Sequence, residues 1–189
     1  MKKIMKIVIL MAVFFEITMA ANPPRATGDV VARNITVFDK LPRGWSIGHV
    51  GLHDTKGAYR RRILEVRTAY PAIHRASVRS MTHSGGYWGS HYGIGASWQH
   101  DNVIRAGVSQ QKYRPQYRST PNYTEGGWGY SWKWSWRKVR WYKSWHTKRA
   151  RFRCDSFVVY CYKKGTGRQL TSTWSTLPSR VYRALPYKR

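Results

Sequence analysis

Three residue types in this chain could together do covalent chemistry: a cysteine nucleophile, a histidine base and a carboxylate that orients the base. Cys154 lies in RFRCDSFVVYCYKK, Arg151 to Lys164, which also holds the second cysteine, Cys161. Asp155 and Ser156 follow it, residue types that favour the first turn of a helix, and an apolar run comes next. A helix beginning there would aim its positive dipole end at the Cys154 sulfur and favour the thiolate, with Arg151 and Arg153 pushing the same way. Cys161 reads as a small buried hydrophobe. Along a helix the two cysteines would stand roughly 10.5 Å apart, and along a strand farther still. A disulfide requires Cα atoms within about 7 Å, so neither conformation lets them pair.

The candidate base is His49, in GHVGL, where Gly48 and Gly51 leave room beside the ring. The candidate acid is Glu65, in ILEVR, one of only 8 acidic residues in the chain and flanked by apolar neighbours. Adjacent antiparallel strands would place His49 and Glu65 on one face within reach of each other. The competing reading of Glu65 is a solvated charge paired with Arg62 or Arg67. His53 follows His49 by four residues, about 13 Å along a strand, so the two could share a metal ion only on a helix. The β-branched, glycine-rich context speaks for a strand, and no metal or other cofactor is expected. His74, His83, His91, His100 and His146 have no partner spacing and read as surface or loop histidines.

These residues need elements to position them. Gly28 to Phe38 is rich in β-branched residues and reads as one strand or two, Leu41 to Ser46 as a turn, and Ile47 to Asp54 and Arg60 to Ala69 as further strands. Within the last, Ile63, Glu65 and Arg67 share one face and Leu64 and Val66 the other. Together they predict a small antiparallel sheet over Gly28 to Ala69. Ser84 to Asp101 reads as a loop or irregular hairpin, Asn102 to Tyr113 as a short helix, and Tyr113 to Gly127 as an exposed loop. A helix is expected to open at Cys154, with a KKGTG exit, and a last one behind Pro178 in STLPSRVYRAL.

Trp128 to Arg149 is WGYSWKWSWRKVRWYKSWHTKR. Trp132, Trp134 and Trp136 alternate with Lys133, Ser135 and Arg137, a period of two that puts three indoles on one face of a strand. With Trp141, they suit contact with substrate or membrane: indoles sit at headgroup level beside cations, and they also stack on sugars. The competing reading is a strand whose Trp face is core.

The chain's 189 residues carry 34 Lys+Arg against 8 Asp+Glu, a formal charge of +26. Lys2, Lys3 and Lys6, the apolar run Ile7 to Phe15 and Thr18-Met19-Ala20 read as an export signal over residues 1–20. The run is too short for a bilayer, which needs roughly twenty residues, and an uncleaved anchor is the lesser alternative. What remains is one domain of about +24, a field that attracts anionic lipid, glycan and wall polymers. Export makes nucleic acid the weaker partner.

GDVV, GHVGL, ILEV, RFRCDSFVVYCYKKGTG and TLPSRVYRAL, in that order, resemble the circularly permuted branch of the NlpC-type papain-like hydrolases, in particular the YiiX/YycO-like group. The resemblance covers both ends of the chain but not the middle from about Ser77 to Ala150. Over about 113–149 it leaves a Trp/Lys/Arg-rich insertion. It implies an α+β fold with a small antiparallel sheet packed on a Cys-bearing helix. By its pattern Cys154 would be the nucleophile, His49 the base and Glu65 the orienter, with the Cys154 backbone N–H in an oxyanion hole. It also implies a secreted or periplasmic thiol hydrolase acting on the amide of a peptidoglycan peptide or on an ester or N-acyl bond of a lipid. Asp155-Ser156 departs from the family's Ser-Glu-like pair. The alternative is a non-catalytic cationic, aromatic-rich protein that binds membranes or anionic wall polymers.

Overall fold

The computed structural model describes residues 22–35, 48–58, 62–82, 86–171 and 177–188. The expected export signal, the turn at Leu41 to Ser46 and His83 lie outside these residues, as does the end of the first strand-like stretch. The fold is α+β. Strands β1 (Val30–Asn34), β2 (Gly48–His53), β3 (Ile63–Val66), β4 (Ile73–Ala76) and β5 (Tyr87–Tyr92) and a C-terminal β10 (Tyr187–Lys188) form one sheet in the order β10-β5-β1-β2-β3-β4. Every pairing in it is antiparallel. Val30 stands opposite Leu52 and Leu52 opposite Leu64, so the apolar alternation of three successive strands falls in register.

That register sends Val30, Ala32, Val50, Leu52, Leu64 and Val66 into the main core, where helix α3 (Cys154–Thr166) meets them. The first nine residues of α3, Cys154 to Tyr162, are all buried, which explains why the segment shows an unbroken apolar run and no polar stripe. Helix α2 (Gln99–Ser109) covers its other side. The two helices approach closely because glycines lie between them. A Cβ on Gly107 would stand 2.7 Å from the Phe157 ring and 3.0 Å from the Cys161 sulfur, and one on Gly165 would stand 2.4 Å from the Val103 backbone nitrogen. Helix α4 (Pro178–Arg183), with proline in its first turn, closes the core against β1 and β2, and a four-residue helix α1 (Arg79–Thr82) lies by β1 and β5.

Several expectations are corrected. The sheet reaches well past Ala69: β4, β5 and β10 extend it. Ser84 to Asp101 is not a loop, because Tyr87 to Tyr92 is a buried strand between β1 and β10; its glycines hid an alternation completed by strands distant in sequence. The helix predicted from Asn102 starts earlier, at Gln99, and stops at Ser109, after which a short 3-10 turn spans Gln111–Tyr113. Tyr113 to Gly127 is not simply exposed. It contributes β6 (Gln116–Tyr117), which runs parallel to β9 (Arg151–Phe152), and Tyr123, which packs on Phe152 and Tyr160.

Gly165→Ala tests the helix contact. Alanine improves helix propensity by about 1 kcal/mol, yet its methyl group would enter backbone that cannot rotate away. Overpacking of this kind costs typically 1–3 kcal/mol, so the substitution is expected to lower the unfolding free energy in urea. A neutral or stabilising result would mean that α2 and α3 separate freely.

Candidate active site

Cys154 is the first residue of α3. The helix starts there because Arg153 is extended, with φ −98° and ψ 161°, while the next turn is locked from both sides. The Ser156 hydroxyl accepts the Arg153 N–H at 3.0 Å and donates to the Arg153 carbonyl at 3.1 Å. The Asp155 carboxylate accepts the Ser156 N–H at 2.6 Å and takes the Arg153 guanidinium at 2.8 Å and 2.6 Å. Asp155 and Ser156 are fully buried. Arg153 holds the helix start chiefly through Asp155, and its charge also interacts with Cys154, as its nearness in sequence suggested. Arg151 is exposed on β9.

His49, the second residue of β2, reaches Cys154 from the facing strand. Its Nε2 stands 2.8 Å from Glu65 Oε2, and the Cys154 side chain is within hydrogen-bonding reach of the ring. Continuing the β2–β3 register puts Glu65 opposite Gly51 and diagonal to His49. A Cβ at Gly51 would stand 2.8 Å from the Ile63 side chain and 3.4 Å from that of Glu65, so glycine keeps this crossing clear. The sequence places these three residues in elements as expected; the structure brings them into one chain of contacts.

Glu65 is wholly buried and is not the solvated charge of the competing reading. It does pair with Arg67, whose Nε lies 2.5 Å from Oε1, and His74 Nε2 lies 3.1 Å from the same oxygen. His74 is the cross-strand partner of Glu65 on β4, not an unpartnered loop histidine. The signal that could have found it is the turn around Pro71, which folds β4 back on β3. His91 and His100 are also buried, against Tyr182 and Tyr92 at 3.9 Å and 4.2 Å between ring centres. His146 is on β8 (Arg140–Lys148), and His53 bonds the Ala26 carbonyl at 3.0 Å. Among the described residues no group of three His, Cys, Asp or Glu is placed to hold a metal ion. The Glu65 oxygens are already taken by His49, Arg67 and His74.

Burial disfavours charge on both partners, but their contacts win. Burial pulls the His49 pKa down, while hydrogen bonds to Cys154 and Glu65 and the charges they carry bring it up to about 9. Burial pulls Glu65 up, while His49 first, then Arg67 and His74, hold it below the ordinary carboxylate range. The favoured state is an imidazolium between a carboxylate and a sulfur. Cys161 is different: burial alone pushes its thiol well up, and it remains a core residue. Both cysteines are free thiols.

The site opens into a cleft of about 320 Å³, where the start of β2, the ends of β1 and β3 and the N-termini of α3 and α4 converge. Arg33, Arg67, Arg153 and Tyr117 line it with His49 and Cys154, and Ile35, Val66, Leu177 and Pro178 supply apolar wall. Sequence reasoning did not single out Tyr117; the β6–β9 register sets it opposite Phe152, two residues before Cys154. Burial first, and then the charge of Cys154, raise its phenol, so it stays a hydrogen-bond donor. Trp132, Trp134, Trp136 and Trp141 are not among the residues lining this cleft. They lie on β7 (Gly127–Ser135), on β8 and on the turn between them.

No family model, no curated protein and no solved structure matches the chain. The site stands on its geometry.

The raised His49 pKa has a testable sign. The native state keeps a proton that the unfolded chain releases near pH 6.5, so this contribution to stability is complete below that value and lost as pH rises through about 9. Glu65 works the other way, contributing above its unfolded value of 4.5 and losing its contribution as pH falls. Urea unfolding measured across pH 6 to pH 9.5 is expected to show falling stability that His49→Gln flattens, over the window set by the raised His49 pKa. An unchanged slope in His49→Gln would assign the titration to another group.

Proposed function

We propose that this chain is an exported cysteine hydrolase of the permuted papain-like type, cleaving an amide or ester bond by Cys154, His49 and Glu65. The observation that carries the reading is the unbroken contact from the Cys154 side chain through His49 to a fully buried Glu65, at the mouth of an open cleft. A structural ion pair has no need of a cysteine at a helix N-terminus facing that cleft.

In the proposed reaction the Cys154 thiolate attacks the carbonyl carbon and forms a C–S bond, and the carbonyl electron pair moves to oxygen. In this reading the Cys154 backbone N–H and the hydroxyl of Tyr117, which also lines the cleft, serve as the donors to that oxyanion. The C–N or C–O bond then breaks as the His49 imidazolium gives its proton to the leaving group. Water attacks the thioester, neutral His49 takes its proton, and the carboxylic acid leaves with the thiolate restored. Glu65 stays ionised throughout and stabilises the imidazolium.

Among the described residues Arg33 lines the cleft with no carboxylate paired to it, while Arg67 and Arg153 are engaged by Glu65 and Asp155. Arg33 therefore suits a substrate with an anionic group near the scissile bond, and the apolar wall suits an acyl or aliphatic part. A peptidoglycan peptide amide meets the first requirement, and export agrees with it. An anionic lipid with an ester or N-acyl bond meets both, and the exposed aromatic ribbon favours it as the second reading.

Iodoacetamide is expected to label Cys154 faster than Cys161 at about pH 6.5, with His49→Ala slowing that labelling about tenfold or more. Hydrolysis of muropeptides or acyl esters should disappear in Cys154→Ala and fall roughly 100-fold in Tyr117→Phe. Hydrolysis that survives Cys154→Ala unchanged on every substrate would reject the mechanism. Ordinary thiol labelling with no hydrolysis would leave the non-catalytic cationic binder as the better reading.

A further inference from the structure

Strands β7 and β8 form a two-stranded ribbon, each strand nine residues long and roughly 30 Å from end to end. Among the described residues they pair only with each other. Gly126, packed on Tyr113, and the buried Ala150 fix its base in the body of the protein. The register is specific: Trp128 faces Thr147, Tyr130 faces Trp145, Trp132 faces Lys143 and Trp134 faces Trp141. One face of the ribbon therefore carries six aromatic side chains. They contact one another, with Trp128 and Trp145 stacked at 5.9 Å and Trp134 edge-on to Trp141 at 5.6 Å. The sequence pattern had put Trp136 on that face, but the strand ends at Ser135 and Trp136 stands in the turn, 86% exposed, with Val139 74% exposed beside it.

This face is not core, which corrects the competing reading of the stretch: Trp132 and Trp141 are 66% and 61% exposed. A folded chain leaves that much indole in water only at a cost of unsatisfied burial, and the patch asks for an occupant. Its charge decides which. From Lys133 to Arg149 there are seven Lys or Arg residues, and no acid occurs between Glu125 and Asp155. Arg137 and Lys138 sit in the turn, Lys133, Arg140 and Lys148 on the other face, and Lys143 lies 4.3 Å over the Tyr130 ring.

We propose that the β7–β8 ribbon docks this protein on a lipid surface that carries anionic headgroups. Indoles and the phenol of the aromatic face enter the interfacial layer, and Trp136 and Val139 lead at the tip. The cations on the turn and the other face meet headgroup phosphates. A second copy pairing through the same face would bring two strongly cationic ribbons together with no acid between Glu125 and Asp155 to offset them. A neutral glycan would stack on the indoles and leave the cations without counter-charge. A soluble anionic polymer would use the cations and have no need of an apolar tip. The lipid surface alone uses both. The docking itself does not rest on the proposed hydrolysis.

The test is co-sedimentation of the purified protein with vesicles of phosphatidylcholine alone and of phosphatidylcholine mixed with phosphatidylglycerol. Tryptophan emission is read on the same samples. The expected result is binding to the anionic vesicles with a blue shift and quenching by acyl-chain-brominated lipid, and weaker binding to phosphatidylcholine. Trp132→Ser, Trp136→Ser and Trp141→Ser combined should weaken binding about tenfold or more, while Cys154→Ala should bind as the unaltered chain does. Because brominated lipid reads the unaltered protein, its quenching does not depend on the variant folding. Equal binding with and without the three tryptophans overturns the proposal. So does lipid-free self-association that the substitutions abolish, or equal affinity for soluble polyphosphate regardless of them.

Discussion

Glu65 is a carboxylate taken out of water in the middle of a sheet, a placement that costs several kcal/mol unless donors replace the lost hydration. Three cationic or cation-forming groups do so: His49 on one oxygen, Arg67 and His74 on the other. They come from β2, the end of β3 and β4, so the carboxylate is satisfied only when these strands pair in one register. A slip by a single residue would turn Glu65 toward the apolar core and Leu64 or Val66 toward the histidines. The same contacts that make the carboxylate tolerable thus hold the His49 ring, with Nε2 engaged by Glu65.

The position of Cys154 rests on a second, local device. Cys154 opens α3 because Asp155, Ser156 and Arg153 satisfy one another in the first turn, fixing where the helix begins and hence which residue sits at its positive end. Helix α3 is in turn wedged between the sheet and α2, with Gly107 and Gly165 allowing the close approach. Under the proposed reaction this rigidity matters, since a thiolate and an imidazolium share a proton productively only while their separation holds. Cys161, about two turns further along α3 and sealed beside Gly107, keeps to packing.

The ribbon obeys different physics. Its strands satisfy each other's backbone and its aromatic rings contact one another across the strands, but nothing of the core covers them. A ribbon this cationic, extending from a body already rich in Lys and Arg, stays in water by its charge while keeping an apolar face available. In the proposed docking, both features serve one interface.

Local chemistry sufficed for some of this. The alternation in Gly48–His53 and Ile63–Val66 defines two strands and which residues share a face. Asp155 and Ser156 before an apolar run mark a helix start, and Pro178 marks another. From these alone Cys154, His49 and Glu65 could be singled out, because helix starts and strand faces depend on near neighbours. What tertiary structure decided are relations between distant residues. His74 joins Glu65 only through the β3–β4 register, and Tyr117 reaches the cleft only because β6 lies along β9. Tyr87–Tyr92 becomes a strand only because β1 and β10 flank it. The six-aromatic face likewise exists only once β8 folds back on β7. Sequence alone could place three indoles on a strand, but whether that strand lies inside the protein or outside is settled by what packs against it.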